Sequence, residues 1–131
     1  MRAGEAAQRH PILVIEDEPS VTAFVQAALE RRGYRVVRAA SGAEGLDQLA
    51  NGRFGGVISD IRMPGAVNGA DVHAWIQKNR PELCSRIILI SGDTANSETQ
   101  ELLAQSGTPC IEKPFRVQQL LAVVEKTFGK P

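Results

Sequence analysis

Three acidic residues in a row, Glu16-Asp17-Glu18, follow directly on the apolar run Ile12-Leu13-Val14-Ile15. Asp60 closes a second apolar run, Ser91 closes a third, and Lys113 stands immediately after a fourth. One polar residue where a strand leaves a core is ordinarily just meeting water. Three of these four carboxylates, with a hydroxyl and an ammonium, at the ends of four such runs make a set that can react. Carboxylates held close repel one another, and at neutral pH a hard cation with oxygen ligands relieves the repulsion; Mg²⁺ is the best candidate and Mn²⁺ an acceptable substitute. Glu16, Asp17 and Asp60 are the expected acidic ligands. Mg²⁺ keeps positions open for phosphate oxygens, so Asp60 beside it is expected to act as a nucleophile toward a phosphoryl group. Lys113 and Ser91 would hold the remaining phosphoryl oxygens. Pro64-Gly65 and Asn68-Gly69 mark a tight loop able to turn backbone carbonyls toward the cation, and Gly92 lets the chain approach a tetrahedral group.

These residues share one rim only if the elements carrying them run side by side. Strands are expected at 12–16, 34–39, 56–60, 86–91 and 109–112, and helices between and after them. The first helix, with Ser20 as N-cap, repeats Val21, Phe24, Val25, Ala28 and Leu29 at helical spacing until Gly33, and that stripe should face the core. The second spans about 42–51, the third about 70–79 before Pro81, and the fourth about 97–105. The fifth carries Val117, Leu120, Leu121, Val124 and Phe128 and closes at Gly129. The fourth shows little more than Leu102 and Leu103 as an apolar face and should be the loosest. Strict alternation of five strands and five helices predicts an α/β, doubly wound (βα)5 three-layer sandwich of the flavodoxin-like kind, its parallel sheet in the order 2-1-3-4-5. Ligands then bind at the carboxyl ends of strands one and three, where the order reverses. Residues 1–10 read as a flexible leader, 11–128 as the domain and 129–131 as a tail.

The whole chain limits the functional classes. Its 131 residues make one domain, and 43% apolar with 23% charged residues fits a globular fold. Fifteen basic residues balance fifteen acidic ones, so no overall field draws in nucleic acid or an anionic membrane. The opening lacks the apolar run of a signal peptide, no stretch is long enough to span a bilayer, and Cys84 and Cys110 lack paired spacing; a cytoplasmic protein with reduced thiols is expected. Cys110 is expected to be a buried small apolar residue and Cys84 to lie exposed in a loop. Trp75 reads as a packing residue, and His10 and His73 lack the support that a metal pair or phosphodonor would need.

The segments Ile12-Leu13-Val14-Ile15-Glu16-Asp17-Glu18, Ser59-Asp60-Ile61-Arg62-Met63-Pro64-Gly65, Ile90-Ser91-Gly92 and Glu112-Lys113-Pro114-Phe115, in this order on these elements, resemble the receiver domain of two-component response regulators. The resemblance covers about residues 11–128. It implies Asp60 as phosphoacceptor, Glu16 and Asp17 as the acidic pair at the metal, and the Arg62 main-chain carbonyl as another ligand. It also implies Ser91 as switch hydroxyl, and Lys113 as phosphate-sensing lysine followed by a cis bond to Pro114. The implied donor is a phosphohistidine of a sensor histidine kinase or histidine phosphotransfer protein, and the implied output is contact with a downstream protein partner. Beyond its own phosphorylation and dephosphorylation no enzyme activity is implied. The chain departs from the family at Cys110, where many members carry a Tyr or Phe that moves with the switch hydroxyl, and in the loop 63–69, which looks one residue longer than the commonest form. Arg62 and Asp93 are each two residues past a site residue, and pairing between them across the site would slow hydrolysis. Competing readings are a receiver-like protein-binding module that is never phosphorylated, an aspartyl-phosphate hydrolase, and a flavin or dinucleotide binder. The hydrolase needs a second acid at position 62, and the last needs a glycine-rich loop after the first strand. With no output domain after residue 128, signalling is expected to pass through protein contacts or onward phosphotransfer.

Overall fold

The computed structural model describes residues 10–63 and 65–131; Pro64 and residues 1–9, most of the expected leader, lie outside the described residues. Strands β1 (Ile12–Ile15), β2 (Val36–Ala39), β3 (Gly56–Asp60), β4 (Ile87–Ser91) and β5 (Cys110–Glu112) alternate with helices α1 (Pro19–Arg31), α2 (Gly42–Asn51), α3 (Gly69–Asn79), α4 (Ser97–Ser106) and α5 (Val117–Phe128). A 3-10 turn, Pro81–Leu83, joins α3 to β4. All strand pairs are parallel and the order is β2-β1-β3-β4-β5, the doubly wound sheet expected from the sequence. Strand ends are trimmed where pairing stops. Tyr34, expected to begin the second strand, precedes it and instead sends its hydroxyl to the Gly129 carbonyl.

Successive side chains of a strand point to opposite faces, so one sheet serves two cores. On one face Ile12, Val14, Ile58 and Ile90 pack with Val25 and Leu29 of α1 and with Leu120, Val124 and Phe128 of α5. On the other, Leu13, Ile15, Val57 and Leu89 pack with Leu49 of α2 and with Val72 and Ile76 of α3. Burial on both sides explains why these strands read as unbroken apolar runs rather than alternating ones. Trp75 packs against the second cluster, as expected, while Cys84 and Cys110 are both half-buried free thiols, the first less exposed and the second less buried than expected.

Two features of α1 differ from the sequence reading. Glu18, not Ser20, is the N-cap, with Pro19 in the first turn, where its missing N–H has no helical partner to lose. Val25, Ala28 and Leu29 of the stripe are buried, but Phe24 is 42% exposed, its ring edge-on to Phe115 with centroids 5.8 Å apart. Helix α4 buries only Thr99 fully, and Leu102 and Leu103 are half-covered, so it is the most thinly anchored helix. No described helix is long and apolar enough to cross a membrane.

Candidate functional site

The sheet register brings the expected site residues together. Ile15 lies opposite Ser59, so the next residues, Glu16 and Asp60, leave adjacent strands at one level. Asp60 lies opposite Ile90 and Ser91 opposite Glu112, which puts Ser91 and Lys113 one step further along the same rim. This is where the strand order reverses, between β1 and β3.

Carboxylate oxygens of Glu16, Asp17, Glu18 and Asp60 all lie within 4.8 Å of one another. The Lys113 ammonium sits among them, donating to Asp60 Oδ2 at 2.7 Å, Glu18 Oε1 at 3.1 Å and Glu16 Oε1 at 3.3 Å. Glu16 is 2% exposed and its Oε2 has no hydrogen bond, only the ammonium 3.2 Å away. Burial, and then the charge of Asp60, push the Glu16 carboxyl up to about 7, against the pull of the Glu18 N–H and Lys113. Burial disfavours the Lys113 charge, but its hydrogen bond to Asp60, the Asp60 charge, the bond to Glu18 and the Glu16 charge outweigh it and hold the ammonium well above the usual lysine range. Among the described residues, one ammonium thus pairs with three of the four acids. An all-oxygen donor set with a buried, unsatisfied carboxylate oxygen fits a hard divalent cation.

Backbone geometry steadies the set. The Arg62 N–H donates to Asp60 Oδ1 at 3.2 Å, and the Asp93 N–H to the buried Ser91 Oγ at 3.0 Å. After Asp60 the chain loops out and returns at Asn68, whose side chain caps α3 in a reciprocal box with Asp71. Gly69 then lies so close to the strand end that an added Cβ would be 2.6 Å from the Asp60 carbonyl oxygen. The Lys113-Pro114 bond is cis. Thr94 Oγ1 donates to Glu112 Oε1 at 2.9 Å, joining the loop after β4 to the end of β5. Beside Lys113 opens a groove of about 490 Å³, lined among others by Glu18, Val21, Phe24, Gly92 and Phe115.

The structure therefore gathers Glu16, Asp17, Asp60, Ser91 and Lys113 on one rim. Arg62 and Asp93 are both exposed, and no ion pair joins them. The sequence reading left Glu18 out of the working set, although it stands within the acidic run; only the tertiary approach of Lys113 gives it a partner.

Residues 12–125 match the family described as response regulator receiver domain. The chain belongs to that family. This receiver domain is 31% identical over 111 residues to the transcriptional regulatory protein YkoG of Bacillus subtilis, covering 85% of the chain and 47% of the relative. It is 33% identical over 123 residues to the nitrogen assimilation regulatory protein NtrX of Azorhizobium caulinodans (91% and 26%), and 31% identical over 121 residues to the sensor kinase CckA of Brucella abortus (91% and 12%). The chain spans less than half the length of each of these relatives. Among solved structures, a CheY-like receiver domain protein from Methanospirillum hungatei superposes with a TM-score of 0.81 at 27% identity, covering 91% of this chain and 93% of that one. A receiver domain from Clostridium thermocellum gives 0.75 at 29% identity, with coverage of 91% and 94%.

Proposed function

We propose that this receiver domain accepts a phosphoryl group on Asp60 and relays the change to a protein partner. The observation carrying this reading is the Lys113 ammonium, 2.7 Å from Asp60 Oδ2 and paired also with Glu16 and Glu18 of the acidic cluster. An Asp60 carboxylate oxygen attacks phosphorus, the P–N bond of a phosphohistidine breaks, and the leaving imidazole nitrogen takes the electron pair. Lys113 donates to one phosphoryl oxygen and Ser91 to another. Glu16, Asp17, Asp60 and the Arg62 main-chain carbonyl would hold Mg²⁺ or Mn²⁺. That cation, when bound, supplies neutralisation of charge on the transferring oxygens.

A sensor histidine kinase or a histidine phosphotransfer protein is the expected donor, in the cytoplasm, and the groove lined by Phe24 and Phe115 offers apolar surface beside Lys113 on which it could rest. The relatives include both a sensor kinase and regulatory proteins, which suits either place in a phosphorelay. With acetyl phosphate and Mg²⁺, the intact protein should gain the mass of one phosphoryl group, and Asp60→Asn should gain none. No gain in the wild type would leave a protein-binding module instead.

A further inference from the structure

Lys113 has three N–H donors and three carboxylate partners, and the partners are not equivalent. The Asp60 and Glu16 side chains are 6% and 0% exposed; that of Glu18 is 57% exposed. Glu18 is nevertheless well placed, because its backbone is anchored. Its N–H donates to Glu16 Oε1 at 3.1 Å, and its carbonyl accepts the Val21 and Thr22 N–H groups at 3.1 Å and the Thr22 hydroxyl at 3.2 Å. An N-cap side chain ordinarily turns back to the helix N–H groups, but Glu18 makes no such bond and reaches Lys113 instead. It thereby puts a negative charge on the wall of the groove beside the reacting carboxylate.

We propose that Glu18 is a positioning residue that restrains Lys113 and repels anionic phosphodonors, slowing capture of a phosphoryl group from small anionic donors. The proposal rests on the reading of Asp60 as phosphoacceptor. Two effects act in the same direction. Lys113 must turn an N–H toward the incoming phosphoryl oxygen, and Glu18 competes for it. An approaching dianion also meets the Glu18 charge through water, which makes the repulsion sensitive to salt. A phosphohistidine carried on a protein brings contact surface of its own and is less dependent on this local field. Glu18 therefore favours protein donors over free metabolic phosphates of the acyl phosphate class.

The test compares wild type, Glu18→Gln and Glu18→Asp at saturating Mg²⁺, following phosphoryl transfer by intact mass. With acetyl phosphate, the acyl O–P bond breaks, acetate leaves with the electron pair, and Asp60 gains the new O–P bond. At low ionic strength Glu18→Gln should react about 3- to 10-fold faster, corresponding to roughly 1 kcal/mol in the barrier. The advantage should shrink as salt is raised, and it should be smaller with phosphoramidate, which bears less net negative charge. Glu18→Asp should stay near wild type. Without Mg²⁺, Lys113 in Glu18→Gln should also acylate faster in peptide mapping, since it has lost a partner. A Glu18→Gln rate equal to or below wild type, a salt-independent gain, or unchanged Lys113 reactivity each overturns the proposal. If the wild type is phosphorylated and Glu18→Gln behaves identically, Glu18 alone has been misassigned; if the wild type takes up no phosphoryl group, the Asp60 reading falls and this inference with it.

Discussion

At the scale of single residues, the candidate site holds four acids, three of which pair with one ammonium. Lys113→Met keeps the chain length and removes the charge, leaving Asp60 and Glu16 close together in a buried rim. The variant should lose about 2 kcal/mol of metal-free stability at pH 8, less than a fully enclosed pair would lose because the ammonium retains some solvent contact. Urea unfolding measures this, and Mg²⁺ should restore much of the loss. At the opposite end of the molecule, burial and then the charge of Glu125 raise the titration point of Tyr34, which donates to the Gly129 carbonyl. The fold thus favours the protonated phenol. Its contribution is intact below about pH 10, the ordinary tyrosine value, and is lost as pH climbs through the higher folded value. Tyr34 is the only tyrosine, so phenolate absorbance on alkaline titration reports it alone and should rise later in the folded than in the unfolded protein. Most of the candidate site's membership was legible in the sequence, because a carboxylate, hydroxyl or ammonium that ends an apolar run stands out in one dimension. Glu18 did not stand apart, because its partner lies 95 residues away and only the folded sheet brings the two together.

Among the elements, the start of α3 packs directly against the end of β3 that carries Asp60. Gly69→Ala would force a methyl group against the Asp60 and Ile61 backbone, where nothing flexible can give way. The expected result is a loss of about 1–3 kcal/mol in thermal or urea unfolding, together with slower phosphorylation of Asp60. A variant as stable and as reactive as wild type would show that the return of α3 does not set the position of the acceptor. Helical periodicity and short apolar runs made every strand and α-helix readable, while their ends were less so. The first helix starts at Pro19 because proline suits the first turn, a local signal that outweighs the capping propensity of Ser20. Periodicity also grouped Phe24 with the core stripe. It assigns a face, but not how far the neighbouring elements extend to cover it, and Phe24 is left 42% exposed with its ring against Phe115.

For the whole molecule, a parallel sheet buried on both faces makes a rigid platform, and the acidic rim is where that rigidity carries an electrostatic cost. A ligand that binds the folded state alone stabilises it by mass action, so Mg²⁺ at about 100 times its dissociation constant should add about 2.7 kcal/mol. The melting temperature should rise with Mg²⁺ concentration in wild type and much less in Asp60→Asn, as read by calorimetry. Fold class and strand order followed from strict alternation of element types, which leaves few topologies once crossovers must be right-handed.

The edge-to-face contact of Phe24 with Phe115 has a thermodynamic corollary. Phe115 stands two residues past Lys113 and shares a groove with it, so on the proposed reading a donor that settles on these rings with a preference for one placement of that segment would also weight phosphoryl transfer at Asp60. Linkage then works in both directions. On that reading, whatever factor phosphorylation took from the grip of a docked donor, the docked donor would take from the stability of the phosphorylated state, so release after transfer would leave the phosphoryl group more secure than in the encounter.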